Sequence, residues 1–198
     1  MDIIKYNNEI LWAKINNWPT IPEYLLTDLS EYKDEEIQWE GKGLRVASNN
    51  VHSYKNSLYK RWTISSTLEK WIKENINCNF NQLGLQKIDP INEDRKLLVH
   101  CDKEPRRWTI LYMLDLGGDD VYTHFYKEKN KSLVRNFGEV TNRLDDLEHL
   151  ASTKFDRYSW VLLNGLILHD VDIISRPRIA ITGSIWSDNP FDDLKISL

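Results

Sequence analysis

Between positions 85 and 186 the chain falls into seven short apolar or alternating runs, at 85–88, 97–101, 108–114, 121–126, 158–163, 166–169 and 178–186. Gly, Asp and Pro separate them. Such lengths and spacings suit strands, whose side chains point alternately to two faces. Many short strands with turn residues between them leave a sandwich or a barrel as the economical solution. The expected fold is mainly β, with helices kept to the flanks.

The first ninety residues are less regular. A short strand is expected at 9–13, followed by the punctuated segment Trp18-Pro19-Thr20-Ile21-Pro22. A helix from Glu23 to about Leu29 follows, because Pro22 is tolerated in a first turn. Gly41 and Gly43 introduce a strand expected at 41–48, and the charge run at 34–36 is a solvated face. The clearest helix starts at Ser65 or Ser66, where Ser66 and Glu69 fit a capping box. Leu68, Trp71, Ile72 and Ile76 then share one face at helical spacing, a stripe suited to covering a sheet. Trp62 and Trp71 need no ligand to explain them. The polar interval from Lys127 to Phe155 breaks the strand pattern. Within it, Leu144, Leu147 and Leu150 predict a helix over 141–150, and insertions of this length often serve as lids or recognition loops.

At 198 residues and 41% hydrophobic content the chain suffices for one core. One domain over 1–198 is expected, with flanking helices and strands in 1–90 and a β core in 91–190. A net charge of -4 gives no strong nucleic-acid signal. No stretch approaches the ~20 apolar residues that cross a bilayer, and the N-terminal run lacks the regions of a secretory signal. Cys78 and Cys101 are too few for a disulfide framework. The expected setting is a reducing cytoplasm with no membrane partner.

The chemistry concentrates at His100-Cys101-Asp102, His169 and Arg178. In an extended strand His100 and Asp102 share a face, while Cys101 points away from it. An isolated His-x-Asp is more often a hydrogen-bonded pair than a ligand pair. Its context is different here: 97–101 reads as a strand running into the pair, and His169 ends the second of two strands joined at Asn164-Gly165. Two imidazole nitrogens and one carboxylate form the facial set that holds non-haem Fe(II) with positions left open. His124 is a rival ligand, but its neighbour Thr123 points to the opposite face. His52 and His149 are expected to be exposed, and Asn164 to serve the turn. Lys103, Arg106 and Arg107, with Lys127, Lys129, Lys131 and Arg135, read first as solvated residues interleaved with Glu104 and Glu128.

The stretch from Leu97 to Trp186 resembles the Fe(II)- and 2-oxoglutarate-dependent oxygenases, most of all the small prolyl-hydroxylase-like members, phage-encoded ones included. The similar pieces are His100-Cys101-Asp102, the strand from Trp108 to Leu114, Gly117-Gly118 leading to Thr123-His124-Phe125-Tyr126, His169-Asp170-Val171, and Arg178 to Thr182. The resemblance implies a double-stranded β-helix (a cupin-like jelly-roll) whose interior holds iron through His100, Asp102 and His169. It implies that Arg178 grips the far carboxylate of the co-substrate 2-oxoglutarate. Many relatives place a hydroxyl two residues after that arginine, and Ala180 departs from the pattern. Thr123 and Tyr112 are the two candidates to replace it, although alternation allows either Tyr112 or Met113 to face inward. The implied activity is hydroxylation of an unactivated C–H bond, with release of succinate and CO2. The substrate class stays open among a protein side chain, a nucleotide and a small metabolite. A catalytically silent jelly-roll binding protein and a cupin-type metalloenzyme that does not use 2-oxoglutarate are the alternatives.

Overall fold

A tight hairpin opens the fold. The computed structural model describes residues 2–27, 59–90, 99–102, 106–129, 135–136, 139–140, 144–172 and 174–194. Strands β1 (Asp2–Tyr6) and β2 (Glu9–Ile15) are joined by Asn7-Asn8, whose φ angles are 48° and 67°. Both lie in the left-handed region, which asparagine tolerates and which two-residue hairpin turns require. Strand β1 was not anticipated, because a run of mixed residues before Asn-Asn gives a weak alternation signal.

Two antiparallel sheets form the body. Further strands are β3 (Tyr59–Trp62), β4 (Gln82–Ile88), β5 (Trp108–Leu116), β6 (Thr123–Glu128), β7 (Arg135–Asn136) and β8 (Glu139–Val140). After them come β9 (Leu147–Thr153), β10 (Trp160–Asn164), β11 (Leu168–Val171) and β12 (Arg178–Ile185). Among the described residues the large sheet has seven strands in the order β1-β2-β10-β5-β12-β4-β3, and the small one has three in the order β11-β6-β9. Strands β7 and β8 pair as a separate ribbon. His100 bridges His169, so residues beside it run along the outer edge of β11.

The large sheet is apolar on both faces. On one face Ile110, Tyr112, Leu162, Ile181 and Ile185 pack under Trp18, Ile21, Leu25 and the helix α2 (Ser66–Asn75) through Leu68 and Ile72. On the other, Leu111, Met113, Val161, Leu163 and Ala180 meet Phe125 of the small sheet and Phe155. The region between the sheets is therefore lined by alternate residues of β5, β10 and β12 on one side. The inner face of β6 and β11 forms the other side.

Several local expectations are corrected. Residues 147–150 are not helical: a 3-10 turn, Leu144–Asp146, leads into β9, whose bulged pairing with β6 extends the small sheet. Leucines three apart fit a helix, but a strand with one bulge returns them to nearby faces as well. Ser65, not Ser66, caps α2 by accepting Leu68 N–H at 3.3 Å, and Glu69 pairs with Lys73 at 2.6 Å instead of closing a capping box. Helix α1 (Glu23–Leu26) starts after Pro22 as expected, and the end expected near Leu29 lies outside the described residues. The segments at 34–36, 41–48, 52, 97–98, 103–104, 131 and 141–143 lie outside the described residues. Among the described residues no helix is long and apolar enough to cross a membrane.

Candidate active site

His100 and His169 meet because their backbones form a hydrogen-bonded antiparallel pair, with N–H···O distances of 3.0 and 2.8 Å. Such a pair sends both side chains to one face, and the ring centroids are 4.5 Å apart. The His169 ring is buried, and its Nδ1 lies 2.8 Å from the Ile167 carbonyl. A carbonyl only accepts, so Nδ1 carries the proton and the lone pair sits on Nε2. Burial pushes the His169 pKa down to about 4, and His100 pushes it the same way against smaller opposing effects of Asp102 and the Ile167 bond. The imidazole is neutral at pH 7, as a metal ligand must be.

Asp102 lies near enough to His169 to affect that ionisation, and a cradle holds it. Its N–H donates to Gly165 O at 2.6 Å, Oδ2 accepts from Thr109 Oγ1 at 3.0 Å, and Oδ1 is 3.4 Å from Nη1 of Arg106. A Cβ on Gly165 would stand 2.5 Å from Oδ2, so only glycine leaves room for the carboxylate. The Asn164-Gly165 turn, expected to join two strands, thus also seats Asp102. Asn164 does serve the turn, accepting Leu166 N–H at 3.1 Å. The cradle was missed because nothing local links position 165 to position 102. Cys101 packs with Val99, Leu147 and Leu168, away from the imidazoles as alternation predicts.

Arg178 lies deeper between the sheets and is 6% exposed. Its Nη2 donates to Thr123 Oγ1 at 3.3 Å, and the guanidinium carbon is 5.5 Å from the centroid of the Phe155 ring. No carboxylate pairs with it among the described residues. Burial alone pushes its pKa down, to about 10, so it keeps its charge at pH 7. Thr123, one of the two candidates to assist it, is buried beside it. Arg176, two residues before Arg178, is spent on the surface with Asp115 and Asp119.

Tyr112 is not part of this site. Its side chain points to the α2 side of the large sheet, where its hydroxyl accepts Ile21 N–H at 3.2 Å and its ring lies 4.7 Å from that of Trp160. The inward position belongs to Met113, opposite Ala180 on β12. His124 also faces away, on the outside of β6, as the position of Thr123 requires. His149 is exposed, as expected, although on a strand.

The donor chemistry suits a divalent metal: two imidazoles, one kept neutral by its burial and with an oriented tautomer, and a seated carboxylate. Among the described residues no set of three or more His, Cys, Asp or Glu side chains is gathered tightly enough to hold an ion as it stands. Asp102 is instead engaged by Thr109 and Arg106. The Arg178 guanidinium, without a carboxylate partner among the described residues, suits an anion.

No family model matches the chain. No curated protein matches it either. Among solved structures, that of ycfD from E. coli aligns with 62% of this chain and 30% of its own length, at 11% identity and a TM-score of 0.36. This chain thus corresponds to under a third of that protein, and a likeness of that size assigns neither family nor activity.

Proposed function

We propose that the protein is an Fe(II)- and 2-oxoglutarate-dependent dioxygenase of jelly-roll fold that hydroxylates an unactivated C–H bond, releasing succinate and CO2. Strand order supports the fold. A ribbon of eight strands folded on itself gives sheets ordered 1-8-3-6 and 2-7-4-5. Taking β4, the His100 segment, β5, β6, β9, β10, β11 and β12 as its strands reproduces both orders, β4-β12-β5-β10 and His100-β11-β6-β9.

The observation that carries the activity is Arg178. An unpaired cation buried between two sheets is costly, and a guanidinium fork fits a carboxylate with two parallel bonds. A dicarboxylate co-substrate neutralises it. Thr123, whose oxygen accepts from Nη2, retains its own O–H to donate to the same carboxylate. His100, Asp102 and His169 are the residues to hold the iron. Iron with 2-oxoglutarate and O2 supplies an oxidant strong enough to take hydrogen from carbon. The chain's own contributions are positional. Ile167 fixes the His169 tautomer, Thr109 and Gly165 seat Asp102, and Phe125, Phe155 and Met113 keep water from the interior.

Anaerobic titration tests the reading. A visible charge-transfer band is expected only when Fe(II) and 2-oxoglutarate are both present, and it is lost in His169→Ala. Iron binding without a band, with Arg178→Met indistinguishable from wild type, replaces this reading by a cupin-type enzyme that uses no 2-oxoglutarate. Absence of metal binding leaves a silent binding protein. A screen that couples succinate formation to product mass identifies the substrate.

A further inference from the structure

The outer face of the small sheet carries a polar cluster on the side opposite the proposed iron site. His124 of β6 and His149 of β9 have ring centroids 5.8 Å apart. His124 Nδ1 lies 2.7 Å from Ser152 Oγ, and His149 Nε2 lies 2.8 Å from the same oxygen. Two imidazole nitrogens from neighbouring strands thus converge on one hydroxyl.

Asp172 determines which nitrogen His124 presents. Its Oδ1 is 2.8 Å from His124 Nε2, and its Oδ2 accepts Tyr122 N–H at 3.2 Å, so the carboxylate is itself held. A carboxylate takes the protonated nitrogen, which leaves the lone pair of neutral His124 on Nδ1, aimed at Ser152. This carboxylate–histidine arrangement is the one that orients imidazoles for metals and raises their basicity. The rings are also braced: Tyr122 stacks at 6.4 Å from His124, and Tyr126 meets His149 edge-on at 5.6 Å.

We propose that His124 and His149 form a second, surface site for a borderline divalent transition metal such as Zn2+. Its ligands are Nδ1 of His124 and Nε2 of His149, with the Ser152 hydroxyl or water completing the sphere. Imidazole pairs favour zinc, copper and nickel, whereas magnesium and calcium prefer oxygen donors. Two protein nitrogens make an open site, in keeping with the lack of a cluster of three or more His, Cys, Asp or Glu among the described residues. Asp170 and Asp172 on the same face add negative potential that draws in a cation. The site stands independently of the oxygenase reading, since it shares no residue with the interior.

The test adds Zn2+ alone to the full chain in a non-chelating buffer and follows the histidine ring nitrogens by long-range 1H–15N NMR. Saturable shifts of His124 Nδ1 and His149 Nε2 are expected, and they persist in His169→Ala. Asp172→Asn weakens binding by about ten-fold, as loss of an orienting carboxylate does. His149→Gln, at an exposed strand position, abolishes the coupled response even if His124→Gln disturbs the sheet. Unmoved nitrogens, zinc bound only at His100 and His169, or a wild-type titration by His149→Gln each overturn the proposal.

Discussion

Arg178 is a charge buried beside a threonine hydroxyl and a phenyl ring, with no carboxylate partner among the described residues. Burying a guanidinium without a carboxylate is unfavourable, and apolar replacements of buried ions are often neutral or stabilising by about 1–4 kcal/mol. Arg178→Met is therefore expected to keep or raise the urea midpoint, while the thermal stabilisation that 2-oxoglutarate gives to the wild-type metal-loaded protein disappears. A destabilised variant that still responds to 2-oxoglutarate rejects the assignment. Asp102 makes a second test at this scale. Thr109→Val removes one hydrogen bond at nearly constant volume and is expected to cost about 1 kcal/mol of stability, with metal affinity falling about 10–100-fold. Isothermal titration with Fe(II) or Mn(II) under nitrogen measures it. Tyr112→Phe is the control. It loses the Ile21 bond, about 1 kcal/mol in a denaturant titration, and leaves 2-oxoglutarate binding unchanged because its phenol is on the other side of the sheet. The register of β5 decided that, and alternation within the strand leaves it open.

Among the elements, the link from β5 to β6 shows how local chemistry supports the site. Gly117 has φ +83°, and a Cβ there would stand 2.9 Å from Arg178 Cβ. Asp115 Oδ1 accepts Gly117 N–H at 2.9 Å and pairs with Arg176 at 3.1 Å. Burial alone pushes the Asp115 carboxyl up, but the Gly117 N–H, Arg176 and Arg157 together outweigh it and hold the pKa below the usual value. The unfolded chain then binds a proton more readily than the folded one, so this contribution is complete above about pH 4. It is lost as pH falls through the lower folded value. Urea midpoints at pH 6 and pH 3 are expected to differ less in Asp115→Asn than in wild type; an equal difference rejects the role. On α2, Ser65→Ala removes the cap bond and is expected to cost about 1 kcal/mol. The helix stripe and the core strands were legible because period and capping chemistry are written locally. Strand β9 was not, since the spacing of Leu144, Leu147 and Leu150 fits two periods and only the open edge of β6 chooses between them.

At the scale of the whole molecule, the double apolar face of the large sheet organises everything else. One face takes α2 and the segment around Trp18 and Ile21, and the other takes the small sheet with the ionisable residues at its inner surface. The amino-acid order alone determined that the protein is mainly β, that Cys101 points away from the imidazoles, and that Thr123 and His124 do not share a face. Spacing along a strand fixes such relations without reference to any partner. Folding decided the rest: that Met113 rather than Tyr112 lines the interior, that Gly165 seats Asp102, and that Arg178 meets Thr123 but no carboxylate among the described residues. Those relations join positions 55 to 63 residues apart or depend on which sheet face is covered. Pairing between distant strands sets them, and no local period encodes it.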